Sequence, residues 1–200
     1  MDKSDFIRRV AAAESPERKA AKLPEFQDSD TVSKPQISGG AKAAFIRNFT
    51  SNHGDVIESE ESLVEFLKAK GCSKGVVDAK LQGGTFGLEK YFDISREFDR
   101  NNPDAYDFGI SAASFAIGEN GAIVLKDSDT ADRMCSIAPW VHVAVLRESD
   151  IVETIPEALK RTVDSPYAIW ITGPSKTTDV EGILVEGVHG PGIQAAFIVK

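Results

Sequence analysis

The run Val141-His142-Val143-Ala144-Val145-Leu146 constrains this chain more than any other segment, because it is apolar at successive positions and so on both faces of an extended strand. Such a strand belongs in the interior of a sheet covered above and below, not on a solvated edge. Apolar runs at 167–172 and 195–199 repeat the pattern, and strand-like and helix-like segments alternate around them. That alternation predicts an α/β domain with a mostly parallel sheet. Ligands of open sheets of this kind lie beyond the carboxyl ends of the strands, which directs attention to the loops after Leu125, Leu146 and Thr172.

The first part of the chain reads differently. Residues 2–23 are helix-like, with Phe6, Ile7, Val10 and Ala11 on one edge, and Ser15-Pro16 suits the start of a second short helix. Residues 24–40 are polar, carry Pro35 and end in a Gly pair. The reading is a helical arm and linker over 1–39, followed by one α/β domain over 40–200. Within that domain 41–52 and 59–70 are expected to be helices, the latter through Leu63, Val64, Phe66 and Leu67 and a Gly71 stop. Strands are expected at 55–58, 76–81, 107–111, 122–125 and 141–146, and helices at 154–162 and 178–186. Residues 82–104 show no clean period.

Composition excludes several functions. With 200 residues, 42% of them hydrophobic, one sizeable core is the expectation. A formal charge of -8 opposes the basic surface that nucleic-acid binding needs. The longest apolar stretch, 137–146, contains Pro139 and His142 and is too short to cross a bilayer, and Met1-Asp2-Lys3-Ser4-Asp5 has no leader character. A soluble, cytoplasmic protein with no membrane partner is expected. The two cysteines, Cys72 and Cys135, lie far apart without CxxC spacing, so their thiolates alone build neither an iron–sulfur cluster nor a zinc site. Both read as small buried side chains. No compact His/Asp/Glu spacing names a metal, and none is assigned.

Two loops carry chemistry. In Gly173-Pro174-Ser175-Lys176-Thr177-Thr178-Asp179-Val180-Glu181 an apolar strand runs through Gly-Pro into hydroxyls, a Lys and acidic residues, with a helix expected next. Hydroxyls and N–H groups at a helix start cradle an anion, and Lys176 adds charge; equally, Ser175 or Thr178 caps the helix and Asp179 complements its dipole. The spacing is not that of a Walker loop. In Gly187-Val188-His189-Gly190-Pro191-Gly192 a histidine between glycines is suited to acid, base or ligand roles, and also to bonding loop carbonyls. His142, which shares a strand face with Trp140 and Ala144, reads either as a satisfied core histidine or as a ligand.

Together these loops resemble the C-terminal signature of the lactate-utilisation protein C family, the LUD domain family. Phe108-Gly109-Ile110 through Ala116-Ile117-Gly118-Glu119-Asn120-Gly121 resembles the family's glycine-rich strand-turn-strand segment, and Arg133, Pro139 and His142 its arginine, proline and histidine pattern. The likeness runs over residues 107–200. Where relatives carry Thr-Gly-Thr or Thr-Gly-Ser after the acidic residue, this chain has Asn120-Gly121-Ala122. The resemblance implies a three-layer α/β/α fold similar to that of phosphosugar isomerases and CoA transferases. It also implies a non-redox part in oxidising L-lactate to pyruvate beside iron–sulfur partner proteins, with the clusters on those partners and no cofactor on this chain. On that reading His189 and Asp179 handle a proton. A small carboxylate substrate is bound among Glu119, Asn120, Arg133, Gly173, Ser175, Lys176, Thr177 and Glu181, and a homo-oligomer is compatible with it. The alternatives are a stand-alone enzyme on this fold, resembling a CoA transferase, phosphosugar isomerase or folate cyclo-ligase, and a non-catalytic ligand-binding or assembly module.

Overall fold

The computed structural model describes residues 2–13, 37–81, 83–178 and 182–200. They fall into two compact units, Met1–Lys34 and Pro35–Lys200. In the first, helix α1 (Lys3–Ala12) buries no residue, and Phe6, Ile7 and Val10 are exposed along its apolar edge. Its expected continuation to residue 23, the Ser15-Pro16 start and the linker as far as residue 36 lie outside the described residues.

The second unit runs α2 (Gly40–Ser51), β1 (Asp55–Ile57), α3 (Glu60–Ala69), β2 (Lys74–Val77), β3 (Asp93–Ser95), β4 (Phe108–Ala112), β5 (Phe115–Ile117), β6 (Ala122–Lys126) and α4 (Met134–Ile137). It continues through β7 (Val141–Arg147), β8 (Ile151–Val152), α5 (Ile155–Lys160), β9 (Ala168–Ile171), β10 (Lys176–Thr178), β11 (Leu184–Glu186) and β12 (Ile193–Val199). Six strands form one sheet in the order β1-β12-β7-β4-β2-β3, every neighbouring pair parallel. The apolar run at 141–146 is β7, near the middle of this sheet, with β12 and β4 on its flanks. The mostly parallel α/β architecture expected from the sequence is what forms.

Two-residue periodicity divides the faces. Val141, Val143 and Val145 join Phe108, Ile110 and Phe197 beneath Leu63 and Leu67 of α3. That helix is started by Ser59, whose hydroxyl accepts the N–H of Ser62, and stopped by Gly71 at φ +74. On the other face Ala144, Leu146, Ala196 and Ile198 pack on Phe45 and Phe49 of α2 and on Ile123 and Leu125 of β6. Phe45 and Phe49 are fully buried and stack at 5.3 Å, so truncating either to alanine would cost about 3–5 kcal/mol.

The second face is therefore covered by more than helix. β8-β5-β6-β9 form a smaller mixed sheet, packed by one side on the main sheet and by Phe115, Ile117 and Val124 of its other side near Ala158 of α5. β5 lies inside 112–121, where the sequence predicts no strand. The described residues of the segment 178–186, expected to be helical, are not: Lys176–Thr178 and Leu184–Glu186 pair antiparallel as β10 and β11, and Gly182 has φ +77. The β-branched pair Thr177-Thr178 and the Ile183-Leu184-Val185 run favour a ribbon, and this outweighs the capping pattern.

Candidate functional site

The hairpin loop lies at the amino-terminal end of the main sheet. Ser175 donates its N–H to Pro191 O at 2.9 Å and accepts that of Gly187 at 2.8 Å, tying 173–176 to 187–192 just before β12. A β-carbon at Gly187 or Gly192 would strike the Trp140 ring at 2.4 or 2.3 Å, so both glycines are needed for the loop to lie against the residue that precedes β7. The expected carboxyl-end position fails for the loop after Thr172 because β9 belongs to the smaller sheet, where it runs antiparallel to β6. Among the described residues a strand, β10, follows the loop, so no helix N-terminus is offered there to an anion.

Lys176 is already engaged there. Its ammonium donates to Asn52 O at 2.9 Å and lies 3.6 Å from Glu186, whose Oε1 meets His53 Nδ1 at 2.7 Å. The group fastens the hairpin to the end of α2. Gly173 packs against Asn52, since a β-carbon there would come 2.4 Å from its carbonyl oxygen. Thr177 pairs with Val185 in the hairpin. Asp179 and Glu181 lie outside the described residues. His189 is exposed beside Gly190, where a β-carbon would sit 3.3 Å from Ser175 Cβ and 4.0 Å from the Ile137 carbonyl oxygen.

Glu119 and Asn120 have local work. Glu119 Oε2 accepts the N–H of Ile155 at 2.8 Å and so caps α5, while Asn120 Oδ1 accepts the N–H of Ala122 at 3.0 Å and closes the turn into β6.

The loop after Leu125 is richer. Asp78, following β2 and only 1% exposed, accepts the N–H of Ala131 with both oxygens, and Lys80 Nζ donates to Ser128 O and Thr130 O. So held, the loop serves two cavities. The larger, about 700 Å³, lies at the carboxyl ends of β4, β7 and β12 and is lined by Lys80, Ser114, Asp129, Arg147 and Asp150 among others. Burial pushes the Asp129 carboxyl up, but hydrogen bonds from Ser114 and Ser128 and the charges of Lys126 and Lys80 outweigh it and hold the group below its ordinary value. The smaller cavity, about 310 Å³, holds Arg133 with Arg100, Asp127, Thr130, Asp132 and Tyr167. The Arg133 guanidinium lies over the Tyr167 ring at 4.1 Å. Desolvation and the Asp127 carboxylate push the Tyr167 phenol above its usual value.

Of the residues nominated from sequence, the structure joins Gly173, Ser175, Lys176 and Thr177 in one loop and hairpin and sets Arg133 in the smaller cavity. Asp78, Lys80, Thr130, Asp129 and Tyr167 belong to no motif that the sequence displays. The available signal is the Val76-Val77-Asp78 step, an apolar run ending in a carboxylate.

His142 is fully buried, with Nδ1 2.9 Å from Gln194 Oε1 on the neighbouring β12. Desolvation lowers its pKa to about 4 against a smaller opposing effect of that hydrogen bond. Among the described residues its Nε2 has no hydrogen-bond partner, and the same holds for the buried Ser111 Oγ and Thr130 Oγ1.

An open parallel sheet with a mixed sheet packed on one face and a glycine-rich loop at its amino end defines an α/β class of protein. The chain belongs to the LUD domain family, which it matches over residues 73–199. It is 37% identical over 93 residues to a protein of Deinococcus radiodurans called lactate utilization protein C, covering 44% of each chain. To the protein of that name from Anoxybacillus flavithermus it is 31% identical over 156 residues, covering 71% of this chain and 70% of the relative. The match with the Deinococcus protein thus spans less than half of that relative's length. A crystal structure of a DUF162 family protein from Deinococcus radiodurans superposes with a TM-score of 0.60 at 21% identity, over 80% of this chain and 96% of the other. That likeness shows a shared fold. Among the described residues no helix is long and apolar enough to cross a membrane, and no group of His, Cys, Asp or Glu is placed to hold a metal.

Proposed function

We propose that the chain is a non-redox component of a system that oxidises L-lactate to pyruvate, acting with iron–sulfur partner proteins. The observation that carries this reading is the family match together with relatives called lactate utilization protein C. The thiols support the division of labour. The two thiols lie far apart in sequence, without CxxC spacing, and burial pushes Cys72 up to about 11 and Cys135 to about 12. Oxidation of lactate releases two electrons and two protons; the electrons pass to clusters on the partners. On this chain, Arg133 is the proposed carboxylate partner and His189, with Asp179, the proposed proton acceptor. Ile137 lines the Arg133 cavity and its carbonyl faces Gly190, next to His189.

Anaerobic affinity purification from the native cells, with mass spectrometry and a lactate-dependent dye-reduction assay, tests it. Iron–sulfur companions and a reduction that vanishes when this chain is omitted are expected. Recovery of the chain alone, with no lactate-dependent reduction, would overturn the reading. A stand-alone enzyme is the second reading, favoured by the cavity of about 700 Å³, which is far larger than a three-carbon acid requires. Turnover by the pure chain without redox partners would establish it.

A further inference from the structure

We propose that the apolar face formed by Trp140, the side of β11 turned toward it and the 187–190 loop is a self-association surface, on which a second copy of this chain docks about a two-fold axis.

Gly187 fixes how the parts of this face lie together. A β-carbon on it would meet the Trp140 ring at 2.4 Å, so its side of the β10–β11 ribbon is the one turned to the indole. Two-residue alternation sets Val185, and Ile183 just before β11, on that same side. Leu184 falls on the opposite side with Glu186 and its partner Lys176, which reach the end of α2. A β-carbon at Gly190 would sit 4.0 Å from the Ile137 carbonyl oxygen, so the loop that carries Val188 runs alongside the end of α4.

The face is preformed and open to solvent. Trp140 is 54% exposed, Ile183 59% and Val188 53%, with Ile137 at 43% and Val185 at 38%. The backbones of Gly187 and Gly192 hold the indole in place, so the ring is ordered before association rather than by it. A tryptophan so placed is the residue type that most often carries the binding energy of an interface. A two-stranded ribbon is also marginal by itself. Lys176 fastens one side of this one to Asn52, and a second chain on the Trp140 side buries the other.

Area and charge select the occupant. At these exposures the five side chains leave on the order of 450 Å² of apolar surface open. Counted twice about a two-fold axis this is about 900 Å², and a rim at Thr177 and His189 brings it to the ~1,000 Å² at which specific interfaces begin. Two copies of a chain with a formal charge of -8 repel where their carboxylates meet. Among the described residues this face avoids such a meeting: Lys176, Glu186 and His53 engage one another on the ribbon's other side, and Arg133, one turn before Ile137, lies over Tyr167. A basic partner steered by the acidity of the chain finds no carboxylate on these five side chains to pair with, whereas an identical apolar face is matched.

Sedimentation velocity of the full chain across the micromolar range tests this, together with the emission of Trp140 in a Trp170→Phe background. A monomer–dimer equilibrium is expected, with the emission moving to shorter wavelength as the dimer fills. Val185→Glu and Val188→Glu should each weaken the dimer at least about tenfold, because a two-fold contact buries every introduced carboxylate twice. Leu184→Glu, the same kind of change at 54% exposure on the ribbon's other side, should leave the affinity within about twofold. Circular dichroism should be unchanged in all three, since each position is exposed. A chain that stays monomeric throughout the range, or a dimer that resists both Val185→Glu and Val188→Glu, would overturn the proposal. So would a monomer that loses its iron–sulfur companions on Val188→Glu, which would give the face to those proteins instead.

Discussion

Asp78 accepts the main-chain N–H of Ala131 with both carboxylate oxygens, at 3.1 and 2.9 Å, and accepts the N–H of Lys80 at 2.8 Å. One buried carboxylate thus ties the end of β2 to the loop that walls both cavities. Asp78→Ala would strand two N–H donors and is expected to cost about 3 kcal/mol, whereas Asp78→Asn keeps one acceptor and should cost about half. Urea unfolding measures both. A loss below ~1 kcal/mol for the alanine variant would show that the loop is held by other means.

Gly109 is set by packing. A β-carbon there would lie 1.9 Å from the carbonyl oxygen of Cys135 and 3.1 Å from Pro139 Cγ, so α4 lies directly on the backbone of β4. Gly109→Ala is expected to cost about 3 kcal/mol and to shift α4, which carries Met134 and Ile137 of the smaller cavity. Its thermal midpoint and a lactate titration read both effects together. Unchanged values would mean that α4 yields without penalty.

The central strands are legible because burial on two faces leaves them almost wholly apolar, and β7 and β12 show this in sequence with one buried polar residue each, His142 and Gln194. β5 is not, since Ser111 to Ser114 and the Gly118–Gly121 turn leave only Phe115-Ala116-Ile117 between them, too short a run to show a period. The hairpin is hidden for a different reason: Gly-Pro followed by hydroxyls and acids suits a helix start, and only the pairing across Lys176–Thr178 and Leu184–Glu186 reveals the ribbon. Arg133 stands out by family resemblance. Thr130 and Asp78 do not, because their importance lies in contacts between segments distant in sequence, |i−j| being 53 for Asp78 and Ala131.

The two thiols make a chemical prediction. With pKa values raised to about 11 and about 12, chiefly by desolvation, Cys72 and Cys135 hold almost no thiolate at pH 8. Alkylation of the native chain by iodoacetamide should be at least about 100-fold slower than that of the urea-unfolded chain. Comparable rates would show that burial does not protect them.

His142 predicts how stability responds to acid. The folded value is about 4 against an ordinary 6.5, so between those limits the unfolded chain binds the extra proton and the folded chain does not. Stability from this group is therefore complete above pH 6.5, falls as the pH drops from there, and levels off below about 4. Between pH 7 and pH 5 the loss comes to about 2 kcal/mol. Carboxylates add their own dependence, so the informative quantity is the difference between wild type and His142→Gln, which cannot titrate in this range. Urea midpoints at the two pH values should move less in the variant by that amount. Parallel shifts in both proteins would mean that the imidazole gains a proton without leaving its place beside Gln194, and that its unpartnered Nε2 has an acceptor within reach once charged.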